Sequence, residues 1–283
     1  MTLSVIPILN ASGCLDALTA PSVANRLDAF VTKTVTPLPR DGNPPPRIAE
    51  TESGMLNSIG LQNPGIDAFV RDNLPRLAAL DVPVWVSVGG FSAEDYAVVC
   101  ARLDECAEVS MIELNLSCPN VEEAAETAAE LVAAARRATA KPLYAKLSPA
   151  TWDVAESARA VAASGADGLS LVNTIRGLGF DRATGRPLLA RGAGGYSGPA
   201  LRPIALACVY ACAEAVEIPI VGMGGIGSGR DVEDFVGAGA TSVALGTILF
   251  SDPWAPDRLR SELEAASGSD AEEVPGRVSE SVA

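Results

Sequence analysis

Between Met111 and Asn120 the chain reads M-I-E-L-N-L-S-C-P-N, the densest concentration of chemically useful side chains in the sequence. An apolar run carrying Glu113 ends in Asn115, Ser117, Cys118 and Asn120, and Pro119 stops regular strand pairing from continuing. The pattern predicts a buried strand that delivers polar groups from its C-terminal tip. Asn offers donors and an acceptor, and a thiol of adjusted pKa can serve as base or nucleophile, so the cluster could bind a planar, amide-rich ligand and move a proton. A strand end with a structural buried Cys is the plainer alternative.

Such a tip needs a scaffold, and the surrounding sequence supplies a repeating one. Apolar or β-branched runs at Val5–Leu9, Ala29–Thr32, Val84–Val88, Met111–Asn115, Leu143–Lys146, Gly168–Val172, Ile218–Gly222 and Ser242–Leu245 predict eight strands. A weaker run within Met55–Leu61 reads as loop. Helices are predicted over Ile66–Leu80, Ala93–Glu105, Val121–Ala140, Thr151–Ser164, Ile204–Val216, Arg230–Val236 and Asp257–Ala265. Eight β-α alternations indicate an α/β fold, a (β/α)8 TIM barrel in a single domain over residues 1–265, with a doubly wound open sheet as the rival. After Ala265 the composition turns to Ser, Glu, Gly and Asp, which predicts a disordered tail over 266–283.

In a parallel barrel the residues just past each strand converge on one mouth. Here they include Ser12, Gly13, Lys33, Thr34, Asn115, Lys146, Asn173 and Thr174. The last two strands run into G-M-G-G-I-G-S-G at 222–229 and A-L-G-T at 244–247, and a third Gly-rich turn is read at Gly194–Gly198. Backbone N–H groups in such turns, each ahead of a helix, can cradle a phosphate, although tight turns require Gly in any case. Two segments, Val35–Asn63 and Asn173–Leu201, are longer than barrel geometry requires and are expected to form extended loops at the C-terminal mouth.

Composition narrows the partners. The 283 residues are 48% hydrophobic, and 21 Lys+Arg against 35 Asp+Glu leave a net charge of −14, which disfavours nucleic acid or an anionic membrane as the main partner. No apolar run reaches the ~20 residues of a membrane span, and the first ten residues lack a basic signal-peptide region, so a cytoplasmic protein is expected. The six cysteines, Cys14, Cys100, Cys106, Cys118, Cys208 and Cys212, form no C-x-x-C pair and there is no His. No metal site is expected, and iron–sulfur chemistry would need another chain.

Read together and in order, N-A-S-G (10–13), V-T-K-T-V-T (31–36), S-G-M-L-N-S-I-G-L-Q-N-P-G (53–65), N-L-S-C-P-N-V (115–121), Y-A-K-L-S-P (144–149), A-D-G-L-S-L-V-N-T (166–174), G-G-Y-S-G-P-A (194–200), I-P-I-V-G-M-G-G-I (218–226) and A-L-G-T (244–247) resemble the class 1 dihydroorotate dehydrogenases, most closely class 1B. The resemblance implies FMN bound by Ser12, Lys33, Thr34, Asn115, Lys146 and Val172, with its phosphate on Gly198, Gly224, Gly225, Gly246 and Thr247. It implies substrate contacts from Lys33, Asn57, Ile59, Gly60, Leu61, Asn115, Asn120, Asn173 and Thr174. Cys118 would be the base, and Lys33 and Lys146 would complete the catalytic group. The implied partners are a homodimer mate and a subunit carrying FAD and an iron–sulfur cluster, through which electrons reach NAD.

The chain departs from the family pattern in three places. It starts almost at the N-A-S-G strand, where relatives have a preceding hairpin, so a less completely closed barrel floor is expected. The Gly-rich segment after C-P-N-V is shortened, and Ser87 stands where many relatives have Asn near the flavin. Because these changes include the substrate side, a different dihydropyrimidine or cyclic amide is the alternative substrate.

Overall fold

The computed structural model of the chain describes residues 6–116 and 127–269. Its centre is a ring of eight parallel strands: β1 (Ile8–Asn10), β2 (Phe30–Val31), β5 (Val84–Val88), β6 (Val109–Asn115), β7 (Leu143–Leu147), β8 (Gly168–Leu171), β11 (Ile220–Met223) and β12 (Ser242–Leu245). They pair in the order β1-β12-β11-β8-β7-β6-β5-β2, and a parallel bridge between Leu9 and Ala29 returns β2 to β1. The protein is a (β/α)8 TIM barrel, and the open-sheet alternative is excluded by that return. β5 and β12 span the residues predicted for them because short apolar runs, largely buried on both faces, have no competing period.

Helices cover the outside of the ring, and their starts are written locally. Ser92 caps Ala93–Asp104 by accepting from Asp95 N at 3.2 Å. Thr127 and Glu130 form a capping box before Ala128–Ala138, as do Ser228 and Asp231 before Gly229–Gly237. The large core lies between strands and helices and includes Val86, Ile112, Leu143 and Leu169, all fully buried. Truncating one of these to Ala costs about 2–5 kcal/mol. A smaller cluster fills the barrel interior, with Leu9, Val31, Val221 and Met223 packed against Trp85 and Tyr144, whose rings lie 5.2 Å apart.

Ionic contacts tie the floor to the C-terminal helix. The Asp28 carboxylate accepts from Ile8 N at 2.7 Å and from Arg260 at 2.7 Å, while Arg26 pairs with Asp257 and stacks over Trp254. That helix, Ala255–Ser269, continues past the predicted end at Ala265.

The two long segments correct the sequence reading. Rather than separate loops they build one antiparallel sheet, β3 (Ile48–Thr51), β4 (Gly54–Asn57), β10 (Gly194–Ser197) and β9 (Ile175–Gly177), paired in the order β3-β4-β10-β9. Part of the run assigned to loop at Met55–Leu61 is therefore strand, and Gly194–Gly198 is a strand running into a bend at Gly198 instead of a Gly-rich turn. The signal was weak because β3 alternates between exposed and half-buried, and β4's other partner, β10, is remote in sequence. Both segments leave the barrel at strand C-termini, so the sheet stands beside the mouth.

Candidate active site

Each barrel strand contributes its last residues to the mouth, and side chains from neighbouring strands meet there in three connected groups. The first contains the cations. Lys146 on β7 is buried, with its ammonium 3.5 Å from Ser12 Oγ and 3.5 Å from Glu113 Oε1 on β6. The Glu113 oxygen has no hydrogen-bond partner. Lys33, two residues past β2, packs against Gly13, where an added methyl would meet its Cδ at 3.0 Å. Burial lowers the pKa of Lys33, and Lys146 pushes the same way while Cys14 opposes. Burial raises the Cys14 thiol, against the pull of Lys146 and Lys33; the residue as a whole is only part-buried, but its sulfur lies in this desolvated corner.

The second group is a chain of hydroxyls and amides. Asn173 Nδ2 donates to Asn115 Oδ1 at 3.1 Å, Asn115 Nδ2 donates to Thr34 Oγ1 at 3.2 Å, and Thr34 Oγ1 lies 3.1 Å from Ser87 Oγ. The Asn115 carbonyl is held by Tyr96 OH at 2.6 Å, and Asn173 Oδ1 accepts from Thr174 N at 2.8 Å. Ser87 thus joins the network through its hydroxyl. Amides fixed at both ends, Asn115 buried and Asn173 half-buried, present their remaining polar edges in one orientation, which suits recognition of a flat ring with donors and acceptors.

Glycines form the third group. Gly198, Gly224 and Gly225 have φ of +109°, +128° and +78°, and a methyl on Gly225 would fall 2.8 Å from Gly198 O. Gly198 and Gly225 are therefore brought together although remote in sequence. At Gly246 an added methyl would meet nothing nearer than Ala11 Cβ and Cys14 Sγ at 4.0 Å. Among the described residues the amides of Gly224, Gly225, Gly246 and Thr247 have no intramolecular acceptor, whereas those of Gly227, Ser228 and Gly229 are already bound by Asp231 and Glu262. A phosphate fits the first set, not the second. Val172, buried beside them, donates to Met223 O at 3.0 Å.

The antiparallel sheet adds the remaining predicted contacts. Asn57 Nδ2 donates to Gly195 O at 3.3 Å, and Thr174 packs on the same Gly195. Ile59 O accepts from Asn43 N at 2.9 Å, Gly60 O accepts from Arg40 at 3.4 Å, and Leu61 has φ +55° with its side chain near Gly89 and Thr34. Asn63 ties this turn to Thr36 by two hydrogen bonds, at 3.1 and 2.7 Å. Cys118 and Asn120 lie outside the described residues. The sequence reading did not assign Glu113, Tyr96 or Cys14 to the site; the signal for Glu113 was a carboxylate inside an otherwise apolar strand. No group of three metal-ligating side chains, and no helix long and apolar enough to cross a membrane, occurs among the described residues.

Comparison with known proteins identifies the family. Residues 5–266 match the family model described as dihydroorotate dehydrogenase. The chain is 44% identical over 267 residues to the dihydroorotate dehydrogenase B (NAD(+)) catalytic subunit of Listeria monocytogenes serotype 4b, covering 91% of this chain and 88% of that protein. It is 43% identical over 271 residues to the protein of the same description from Fusobacterium nucleatum, covering 92% and 89%. A crystal structure of DHODH in complex with ferulenol from Eimeria tenella superposes with a TM-score of 0.76 at 22% identity, covering 94% of this chain and 82% of that one, a likeness of fold. The chain belongs to the dihydroorotate dehydrogenase family of oxidoreductases, on its class 1B branch.

Proposed function

We propose that the protein is a cytoplasmic enzyme that oxidises dihydroorotate to orotate in pyrimidine synthesis, with FMN as its cofactor. The observation that supports this best is the meeting of the Lys33–Lys146 pair, the Thr34–Asn115–Asn173 amide chain and the Gly246 cradle at one mouth. The residues fit FMN: an open cradle of unpaired amides suits one phosphate, and a buried ammonium whose two contacts are both 3.5 Å long has capacity for a further anionic partner. FMN would be held by Ser12, Lys33, Thr34, Asn115, Lys146 and Val172, with the phosphate at Gly198, Gly224, Gly225, Gly246 and Thr247. When bound it supplies an acceptor for the hydride lost from substrate C6.

The protein's own groups do the rest. Lys33 offers a desolvated cation to the substrate carboxylate, and Asn57, Asn115, Asn120, Asn173 and Thr174 pair with the ring's amide edges, with the Ile59–Leu61 turn beside them. Cys118 takes the proton from C5, a role typically worth ~10²–10⁴ in rate. Lys146 stabilises negative charge that develops toward the mouth. Electrons leave through a partner carrying FAD and an iron–sulfur cluster, bound to a homodimeric core, and reach NAD. That the relatives are catalytic subunits by name supports such a partner.

Anaerobic addition of dihydroorotate to the purified yellow protein should bleach the flavin, and dihydrouracil, which lacks the carboxylate, should bleach it far more slowly. Equal bleaching by both would remove the role given to Lys33. No bleaching by dihydroorotate would overturn the proposed reaction.

A further inference from the structure

Alternation along β6 places Glu113 on the same face as Asn115, one step deeper into the barrel, and Lys146 on β7 stands in register with Asn115. Glu113 is 1% exposed and Lys146 is 4% exposed. A carboxylate at such depth is costly unless a cation compensates it. The only cation paired with it among the described residues is Lys146, at 3.5 Å, longer than the ~2.7–2.9 Å of a charge-assisted hydrogen bond. Glu113 Oε1 makes no hydrogen bond, and the ammonium's other neighbour, Ser12 Oγ, is also at 3.5 Å. Lys146 is thus suspended between a carboxylate beneath it and the mouth above it, locked by neither.

We propose that Glu113 is a positioning residue acting through Lys146: its buried negative charge draws the ammonium toward the barrel interior, offsets part of its field at the mouth, and so holds down the reduction potential of the bound flavin. This rests on the FMN reading above. Lys33 and Cys14 share the same corner on other strands' loops and feel the couple through space, Lys146 lowering both and Glu113 raising the Cys14 thiol, but neither bonds Glu113, so its replacement by an isostere leaves their contacts in place. A group that only filled space in the barrel would leave the potential unchanged when replaced by an isostere.

The test is an equilibrium redox titration of the FMN-loaded protein, a readout independent of turnover. Glu113→Gln keeps shape and removes charge, and is expected to shift the midpoint potential upward. Glu113→Asp keeps the charge but withdraws it by one methylene, and is expected to shift it upward by less. If Glu113→Gln does not fold, Glu113→Asp decides alone. An unchanged or lowered potential in the variant measured, or an Asp shift as large as the Gln shift, overturns the proposal. Wild-type protein that carries and accepts no FMN would overturn the cofactor reading and this inference with it, and that outcome is known before any variant is titrated.

Discussion

The carboxamide of Asn10 stands in for a peptide unit at the seam of the barrel: its Nδ2 donates to Val31 O at 2.8 Å and its Oδ1 accepts from Val31 N at 2.8 Å. The rest of the seam, the Leu9–Ala29 bridge and the Asp28–Ile8 contacts, lies toward the floor, so this side chain sets where β2, and hence Lys33 and Thr34, emerge at the mouth. Asn10→Ala would leave both Val31 groups unsatisfied in a buried setting. At ~1–3 kcal/mol per orphaned group, a loss of about 2–6 kcal/mol is expected in urea denaturation. A loss below about 1 kcal/mol would show that the seam does not depend on this contact.

The glycines separate folding from ligand binding. Gly225→Ala places a methyl 2.8 Å from Gly198 O at a positive φ, so it should lower the unfolding temperature whatever its effect on FMN. At Gly246 a Cβ fits at van der Waals distance, 4.0 Å from Ala11 and Cys14, so Gly246→Leu should lower the unfolding temperature less than Gly225→Ala while weakening FMN binding. Unchanged FMN affinity in Gly246→Leu would move the phosphate site elsewhere.

Lys33 predicts an alkaline limb in substrate binding. Burial favours its neutral form, so it loses its proton below the usual lysine range, and the cation available to a carboxylate is lost with it. KM for dihydroorotate should rise as pH climbs toward that range. Stability moves oppositely: between the lowered folded value and the ordinary ~10.4 the unfolded chain binds more protons, so this group's contribution increases with pH. Lys33→Met should raise KM and flatten the limb; a limb that persists belongs to another group.

Cysteine chemistry should be confined to Cys118. Burial pushes the Cys100 and Cys212 thiols up to about 12 and raises those of Cys106 and Cys208, which leaves them as unreactive thiols near neutral pH. Cys118→Ala is expected to keep FMN and slow its reduction by dihydroorotate by ~10²-fold or more. Stopped-flow reduction at the wild-type rate would assign the proton to another group.

Electron exit should require the second subunit. The isolated chain is expected to reduce NAD slowly or not at all, and purification from the native host should bring down a brown iron–sulfur partner whose complex with this chain is competent. Rapid turnover of the isolated chain with fumarate or with NAD would overturn the partner.

The order of strands and helices in the barrel was determined by the sequence itself, because it rests on local causes. Val84–Val88 and Ser242–Leu245 are short apolar runs between turn residues, and Ser92 and Ser228 stand just before helices predicted at Ala93 and Arg230, whereas Thr127 caps a helix, Ala128–Ala138, that begins inside the predicted Val121–Ala140. Order along the chain then placed Ser12, Lys33, Asn115, Lys146, Gly224 and Gly246 at one mouth, since every parallel strand must end there. Tertiary structure alone decided what depends on approach between distant segments. Gly54–Asn57 is a strand because Ile48–Thr51 and Gly194–Ser197 flank it, and Gly225 is constrained by Gly198 because β11 brings them within contact. Glu113 appeared in the sequence as a carboxylate out of place in an apolar strand. Its charge gained a partner only when barrel curvature set β7 beside β6 and brought the Lys146 ammonium to 3.5 Å, a distance no local pattern encodes.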